Sequence, residues 1–251
     1  MIKAILVGAC GKMGNNITEC AAASDEIKIV AGVDKFNSGM KYPVFSNFGD
    51  INVTADVIID FSNVALLDDL LEFAIQKKLP VVIATTGYSN SQIEKIKQTA
   101  KIIPVFFTFN MSLGVNLLCA LAKKAAGILG DDFDIEIIEK HHNQKLDAPS
   151  GTAIMLGNAI NSVFNDKLSY EYDRHSKRAK RPKNEIGIHS VRGGTIVGEH
   201  DVIFAGRDEV ITLSHSATSK QVFAVGALRA AKFIVNKPIG LYDMNNILNI
   251  E

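Results

Sequence analysis

Residues 2–14 read Ile2-Lys3-Ala4-Ile5-Leu6-Val7-Gly8-Ala9-Cys10-Gly11-Lys12-Met13-Gly14, and the fold class turns on them. Ile2 to Val7 is a short apolar run rich in β-branched residues, the pattern of a strand buried on both faces. From Met13 to Ala23 the apolar residues Met13, Ile17, Cys20 and Ala21 fall at helical spacing. Strand, glycine turn, helix is the context in which a glycine pattern signals a dinucleotide. The glycines permit a tight turn and close backbone approach, so a pyrophosphate can sit against the free N–H groups and positive dipole end of the helix. Gly8, Gly11 and Gly14 make a GxxGxxG pattern rather than GxGxxG, with the same physical requirements.

A second strand over Lys28 to Val33 ends in Asp34, about twenty residues past Gly14, where an acid meets the adenosine ribose hydroxyls. An acid there favours NADH, because it repels the additional phosphate of NADPH. Lys35 follows directly and could offset that repulsion, so the choice between NADH and NADPH stays open. Phe36 to Thr54 is rich in Gly, Asn, Ser and Pro and reads as a connecting loop with room for one small strand. Strand and helix then alternate: a strand at Val57 to Asp60, a helix at Val64 to Lys77, a strand at Val81 to Ala84, a helix at Ser91 to Thr99 and a strand at Ile102 to Phe107. This alternation predicts a parallel, doubly wound, Rossmann-like sheet. Ligands in such folds bind beyond the carboxyl ends of the strands, which makes the tails Asp60-Phe61-Ser62, Ala84-Thr85-Thr86-Gly87 and Thr108-Phe109-Asn110-Met111 the natural nicotinamide contacts.

A helix over Ser112 to Leu129 carries the chain out of this first domain. Phe133 to Glu139 alternates as a half-buried strand. Ala153 to Phe164 reads as an amphipathic helix with Ser150 as its N-cap and Pro149 as a rigid lead-in. Asn165 to Asn184 is polar and basic; it lacks interleaved aromatics and is expected to be a solvated loop rather than a nucleic-acid patch. Strands are expected at Ile186 to Val191, Thr195 to Val197, Asp201 to Ala205 and Val210 to His215, a mixed or antiparallel sheet and hence an α+β second domain. The apolar helix Gln221 to Val235 then returns to the first domain. The predicted division is 1–112 with 219–251 and 113–218, with hinges near Met111 to Leu113 and Ala217 to Lys220.

Between the last strand and helix of the second domain's first half lies Glu139-Lys140-His141-His142-Asn143-Gln144-Lys145-Leu146-Asp147-Ala148-Pro149-Ser150-Gly151-Thr152. His141, His142 and Lys145 offer a proton donor titrating near neutrality and further cationic groups, a set suited to an anionic substrate. The Ser150-Gly151-Thr152 backbone at a helix start adds a carboxylate cradle. Zinc would need third and fourth ligands at sensible spacing, and adjacent histidines rarely point the same way; no metal is expected. Incidental surface histidines are the remaining alternative.

Composition sets the outer bounds. The 251 residues can bury a substantial core, and 47% are hydrophobic and 22% charged. The 27 basic and 27 acidic residues cancel, leaving no overall field to gather nucleic acid or anionic membrane. Cys10, Cys20 and Cys119 are widely spaced with no CxxC pair, as expected of reduced thiols in a cytosolic protein. The first apolar run is too short for a signal sequence, and no apolar run is expected to approach membrane length. A cytoplasmic location is expected.

The run HHxxKxDAPSGTA beginning at His141 resembles the signature of the 4-hydroxy-tetrahydrodipicolinate reductase (dihydrodipicolinate reductase) family of bacterial lysine and diaminopimelate biosynthesis. The glycine turn, Thr85-Thr86-Gly87, the Asn110 and Gly114 pair and Gly187 to Gly194 fit that family in order. The resemblance implies NAD(P)H-dependent reduction of a cyclic dicarboxylate, and a homotetramer built through open mixed sheets of the substrate domain. It implies that Gly8, Ala9, Cys10, Gly11, Lys12 and Met13 hold the pyrophosphate and Asp34 the ribose. Ala84, Thr85 and Thr86 with Thr108, Phe109, Asn110 and Met111 would take the nicotinamide half. His141 would be the acid/base residue and Lys145 the proton donor, with His142, Gly151 and Thr152 on the substrate carboxylates beside Ser150. Ala84 stands where the family usually has Gly and Met111 where it often has Phe, which bears on cofactor preference. A dinucleotide-binding module without chemistry, or a Rossmann reductase for another small acid, remain as alternatives.

Overall fold

A computed structural model describes residues 1–36 and 39–249. Asn37 and Ser38, part of the stretch expected as a loop, lie outside the described residues, as do Ile250 and Glu251. In chain order the elements are β1 (Ile2–Val7), α1 (Lys12–Ala22), β2 (Ile27–Val33), β3 (Val44–Phe45), β4 (Val57–Asp60), α2 (Leu67–Lys77), β5 (Val81–Ile83), α3 (Asn90–Thr99), β6 (Pro104–Phe107), α4 (Leu113–Leu129), β7 (Asp134–His141), α5 (Gly151–Asn161), β8 (Ser169–Glu171), β9 (Glu185–Arg192), β10 (Gly198–Ala205), β11 (Val210–Ala217), α6 (Gln221–Ile234), β12 (Gly240–Tyr242) and α7 (Met244–Leu248). They divide into two compact units, Met1–Leu113 with the chain from Lys220 onward, and Gly114–Ser219.

The first unit holds a seven-stranded sheet in the order β12-β6-β5-β4-β1-β2-β3, parallel throughout. Its central strands are buried on both faces because alternate residues serve two cores. Ala4, Leu6, Val57, Ile59 and Val82 pack on the side of Ile17, Ala21, Ala227 and Ala231, from α1 and α6. Ile5, Val7, Ile58, Val81 and Ile83 pack on the side of Leu70, Phe73, Ala74 and Ile96, from α2 and α3. Continuous apolar runs, rather than alternating ones, follow from that two-sided burial. The strand order reverses at β1, so the crevice beyond Gly8 lies at the topological switch point where ligands of such sheets bind.

The second unit holds a mixed five-stranded sheet, β11-β10-β7-β9-β8. β10 pairs antiparallel with β11 and β7, and β7 and β8 pair parallel with β9. One face of β7, Ile135 and Ile137, packs with Leu118, Cys119 and Ala122 of α4 and Ala153, Leu156 and Ile160 of α5. On the opposite face Ile138 and Lys140 are half-buried, with Lys140 paired to Glu199 at 3.1 Å and Asp201 at 3.3 Å.

Four sequence expectations need correction. The strand expected to stop at Glu139 runs on to His141, which puts the imidazole on the sheet. The strand expected at Thr195 to Val197 is a turn; Gly194 adopts φ +49°, its carbonyl accepts from Asn143 N–H at 3.2 Å, and Gly193 N–H bonds the His141 carbonyl at 2.9 Å. The backbone there is spent on the end of β7. The expected solvated loop contains β8, and three of its cations are engaged, Arg174 with Glu185, Lys177 with Glu171, and Arg181 with Glu136 and Asp134 at 2.9 Å each, while Arg178, Lys180 and Lys183 are exposed. Finally, Leu113–Asp132 is long and apolar enough to cross a membrane, with mean hydropathy 1.4; Val115, Leu118, Cys119, Ala122 and Ala126 of this stretch are buried.

Candidate functional site

In the first unit the glycine turn is built by exclusion of side chains. Gly8 has φ +78°, and a Cβ on it would lie 2.4 Å from the Phe61 carbonyl oxygen. A Cβ on Gly14 would lie 2.3 Å from the carbonyl oxygens of Gly8 and Ala9. Gly11 caps α1 without a side-chain hydrogen bond, and the first turn carries no acid. An open helix N-terminus reached across bare backbone fits a pyrophosphate. Lys12 is exposed, Cys10 and Met13 are half-buried and Ala9 is buried.

Asp34 is tied to that turn. Its Oδ2 accepts from Cys10 N–H at 2.9 Å and its Oδ1 from Phe36 N–H at 3.3 Å, while the Cys10 thiol donates to the Phe36 carbonyl at 2.9 Å. Beside it opens a cleft of about 460 Å³ lined by Val33, Asp34, Lys35, Asn47, Phe48 and Phe73 among others.

The strand tails expected to meet the nicotinamide are organised around the carboxylate of Asp60. Asp60, 0% exposed at the end of β4, bonds Ser62 through its N–H (3.2 Å) and hydroxyl and accepts from the Tyr88 hydroxyl at 3.3 Å. Burial raises its pKa, against the hydrogen bonds from Ser62, Thr85 and Tyr88 that lower it. Thr85 Oγ accepts from Ser62 N–H at 2.9 Å. The tails of β4 and β5 are thus fastened to one another, with Ala84 and Thr85 buried and Thr86 exposed. At the tail of β6, Thr108 and Met111 are buried and Phe109 is 63% exposed. Asn110 N–H reaches Thr108 Oγ at 3.4 Å, and its Oδ1 accepts from Ser112 N–H at 2.9 Å.

In the second unit, strand alternation carries Glu139 and His141 onto the core-facing side of β7. His141 Nδ1 lies 2.6 Å from Glu139 Oε2. Arg192 of β9 grips the same carboxylate through Nη1 and Nη2, and its Nη2 also bonds the Asp147 carbonyl at 2.7 Å. Ser150 N–H donates to Glu139 Oε1 at 3.1 Å. Burial pushes the Glu139 pKa up, but the bonds from Arg192, Ser190, His141 and Ser150 outweigh it and hold the carboxyl at about 2. Burial also lowers the His141 pKa; Glu139 opposes that, and Lys145 and Arg192 add to it.

His142 is half-buried; its carbonyl accepts from Lys145 N–H at 3.1 Å, a turn that returns Lys145 towards the strand end. Lys145 Nζ pairs with Asp147 at 2.8 Å. Ser150 caps α5, its Oγ accepting from Ala153 N–H at 3.1 Å and meeting His200 Nε2 at 3.0 Å. Gly151 is exposed at the first turn, and a Cβ there would touch nothing within 4 Å; Thr152 follows, half-buried. His200, on β10, stands with its ring centroid 5.2 Å from that of His141 and is depressed to about 4, mainly by burial.

All the second-unit candidates, His141, His142, Lys145, Ser150, Gly151 and Thr152, therefore lie on one strand end, turn and helix start. The sequence left Glu139, Arg192 and His200 without a role. Period-2 alternation could have paired Glu139 with His141; the partnership with Arg192 and His200 depends on strand order, which no local pattern carries.

Models of the dihydrodipicolinate reductase family match this chain twice, the N-terminal one over residues 2–111 and the C-terminal one over residues 114–248. A protein of Caldanaerobacter subterraneus subsp. tengcongensis named 4-hydroxy-tetrahydrodipicolinate reductase is 51% identical over 248 residues, covering 99% of this chain and 98% of its own. One of the same name from Clostridium tetani is 50% identical over 250 residues, with coverage of 99% and 98%. Among solved structures, dipicolinate-bound dihydrodipicolinate reductase from Paenisporosarcina sp. TG-14 superposes with a TM-score of 0.82 at 27% identity, covering 98% of this chain and 99% of that one.

Proposed function

The chain belongs to the dihydrodipicolinate reductase family, and from that premise we propose the division of labour within an oxidoreductase that reduces 4-hydroxy-tetrahydrodipicolinate to tetrahydrodipicolinate, with loss of water, in lysine and diaminopimelate biosynthesis. The first unit is the dinucleotide-binding unit and the second the substrate-binding and oligomerisation unit. The observation that carries the reading is the run from His141 to Thr152, where one strand end, one turn and one capped helix start present an imidazole, an ammonium and a carboxylate cradle together.

Gly8, Ala9, Cys10, Gly11, Lys12 and Met13 hold the pyrophosphate of NADH or NADPH, and Asp34 with Lys35 the adenosine ribose. Ala84, Thr85, Thr86, Thr108, Phe109, Asn110 and Met111 hold the nicotinamide half. When bound, the reduced nicotinamide supplies the hydride. His142, Ser150, Gly151 and Thr152 bind the two carboxylates of the substrate, the helix N-terminus contributing N–H donors and a favourable dipole without a countercharge. His141, whose pKa burial lowers, is neutral near pH 7 and suited to accept and return a proton. Lys145, released from Asp147, is the proton donor. General acid–base help of this kind is worth about 10²–10⁴-fold, and positioning of the reactants supplies much of the rest. Asp34 favours NADH and Lys35 tempers that preference, so the hydride source is NADH, NADPH or both. The protein acts in the cytoplasm as a homotetramer joined through the uncovered face of the second sheet, where Ile138 and Lys140 are only half-buried.

The test is a coupled assay in which substrate is made in situ by the preceding synthase from pyruvate and aspartate semialdehyde. Substrate-dependent loss of reduced-nicotinamide absorbance supports the reading. No loss with either cofactor removes it.

A further inference from the structure

The Glu139 side chain has no exposed surface, and beside the Ser190 side chain it is held by fixed donors. Arg192 donates twice, at 2.8 and 2.7 Å, and the Ser150 N–H once, at 3.1 Å. An ionised carboxylate only accepts, so the ring nitrogen 2.6 Å from Oε2 must carry a hydrogen. A neutral imidazole has one N–H. If it is at Nδ1, the lone pair is at Nε2, and the surroundings of Nε2 suit that arrangement: it faces Gly198, where a Cβ would stand 3.1 Å from Nε2 and 3.4 Å from Cδ2. Glycine keeps the approach to that nitrogen clear.

We propose that Glu139 is a positioning residue that fixes His141 as the Nδ1–H tautomer and so makes Nε2 the nitrogen through which His141 exchanges protons, Arg192 and the Ser150 N–H holding the carboxylate ionised and in place. The Nε2 lone pair takes a proton to give the imidazolium and releases it again; Nδ1–H is retained throughout and Glu139 takes none. This rests on reading His141 as the acid/base residue. The charged and titratable groups facing the ring are Glu139 on its own strand, Arg192 on β9, Lys145 in the following turn and His200 on β10. His200 faces it edge-on and, depressed by burial, adds no charge near neutrality. A carboxylate bonded to one ring nitrogen is a general device for fixing which nitrogen of a histidine carries the hydrogen.

The test is ¹⁵N NMR of the His141 ring in the full-length protein without substrate, followed by steady-state kinetics of Glu139→Gln and Glu139→Asp. The wild-type ring is expected to show Nδ1–H with an unprotonated Nε2. Glu139→Gln, whose amide can donate to Nδ1, is expected to lose that tautomer and about 100-fold in kcat, the low end of what acid–base help contributes. KM should stay within about threefold, since uniform binding is untouched. Its acid-side pH limb should move to lower pH, because an anion that favoured the imidazolium is gone; Glu139→Asp should recover part of kcat. A wild-type ring protonated at Nε2, or a Glu139→Gln variant with unchanged tautomer and kcat, overturns the proposal. If Glu139→Gln does not fold, Gly198→Ala is read instead. It should keep Nδ1–H but lose kcat, and undiminished kcat overturns the role of Nε2. The ring spectrum needs no turnover, so an inactive wild-type protein with an Nδ1–H ring would sink the functional reading while leaving the tautomer assignment intact.

Discussion

The two terminal nitrogens of Arg192 grip the two oxygens of Glu139, Nη1 to Oε2 at 2.8 Å and Nη2 to Oε1 at 2.7 Å. The carboxylate is sealed from solvent, so losing the guanidinium leaves a buried charge short of two donors. Breaking such a pair from one side costs about 3–5 kcal/mol. Arg192 is 20% exposed at its side chain, which points to the low end. Arg192→Ala is expected to lose about 3 kcal/mol in urea unfolding; a loss of a few tenths would show the pair behaving as a surface ion pair.

His200 makes stability depend on pH. Its folded pKa of about 4 lies below the ordinary 6.5, so the unfolded chain takes up a proton at a pH where the folded one does not. Stability from this group is complete above about 6.5 and is lost as pH falls through the window down to about 4, at up to about 1.4 kcal/mol per pH unit for one proton. His141 and His215 are also lowered by burial, so His200→Gln should flatten the slope rather than abolish it. Unfolding free energies measured across the window check this, and an unchanged slope contradicts it.

Asp34 offers a test of cofactor choice that leaves the turn intact. Asp34→Asn keeps an oxygen for the Cys10 N–H and removes the charge. The ratio of kcat/KM for NADPH over NADH is expected to rise about tenfold, equivalent to about 1.4 kcal/mol. An unchanged ratio would place the additional phosphate away from this residue.

The central strands of the first unit were legible because two-sided burial writes them as apolar runs, as in Ile2 to Val7, and Gly8 and Gly14 of the turn are each forced by a carbonyl. Less of the second unit was legible. Thr195 to Val197 has strand composition, yet Gly194 turns the chain against His141 and Asn143. Within the basic stretch from Arg174 to Lys183, the pairing of Arg174 and Arg181 was not legible because their carboxylate partners, Glu136 and Glu185, sit on other strands. The catalytic candidates were legible as a local signature. Their supports, Arg192 and His200, were not, because β9 and β10 reach β7 only through the sheet order.

Lys145→Ala should lower kcat about 10²–10⁴-fold with a smaller change in KM, measured by nicotinamide oxidation. Near-normal turnover would remove Lys145 from the proton step and leave His141 as the sole candidate.

Hydride transfer from a nicotinamide to the cyclic dicarboxylate can be followed with cofactor deuterated at the transferring position of its nicotinamide ring. Mass spectrometry of the tetrahydrodipicolinate formed from in-situ substrate should show the deuterium in the product. Oxidised cofactor with unlabelled product from both C4-deuterated epimers, each used in turn, would rule out the nicotinamide as the source of the hydride.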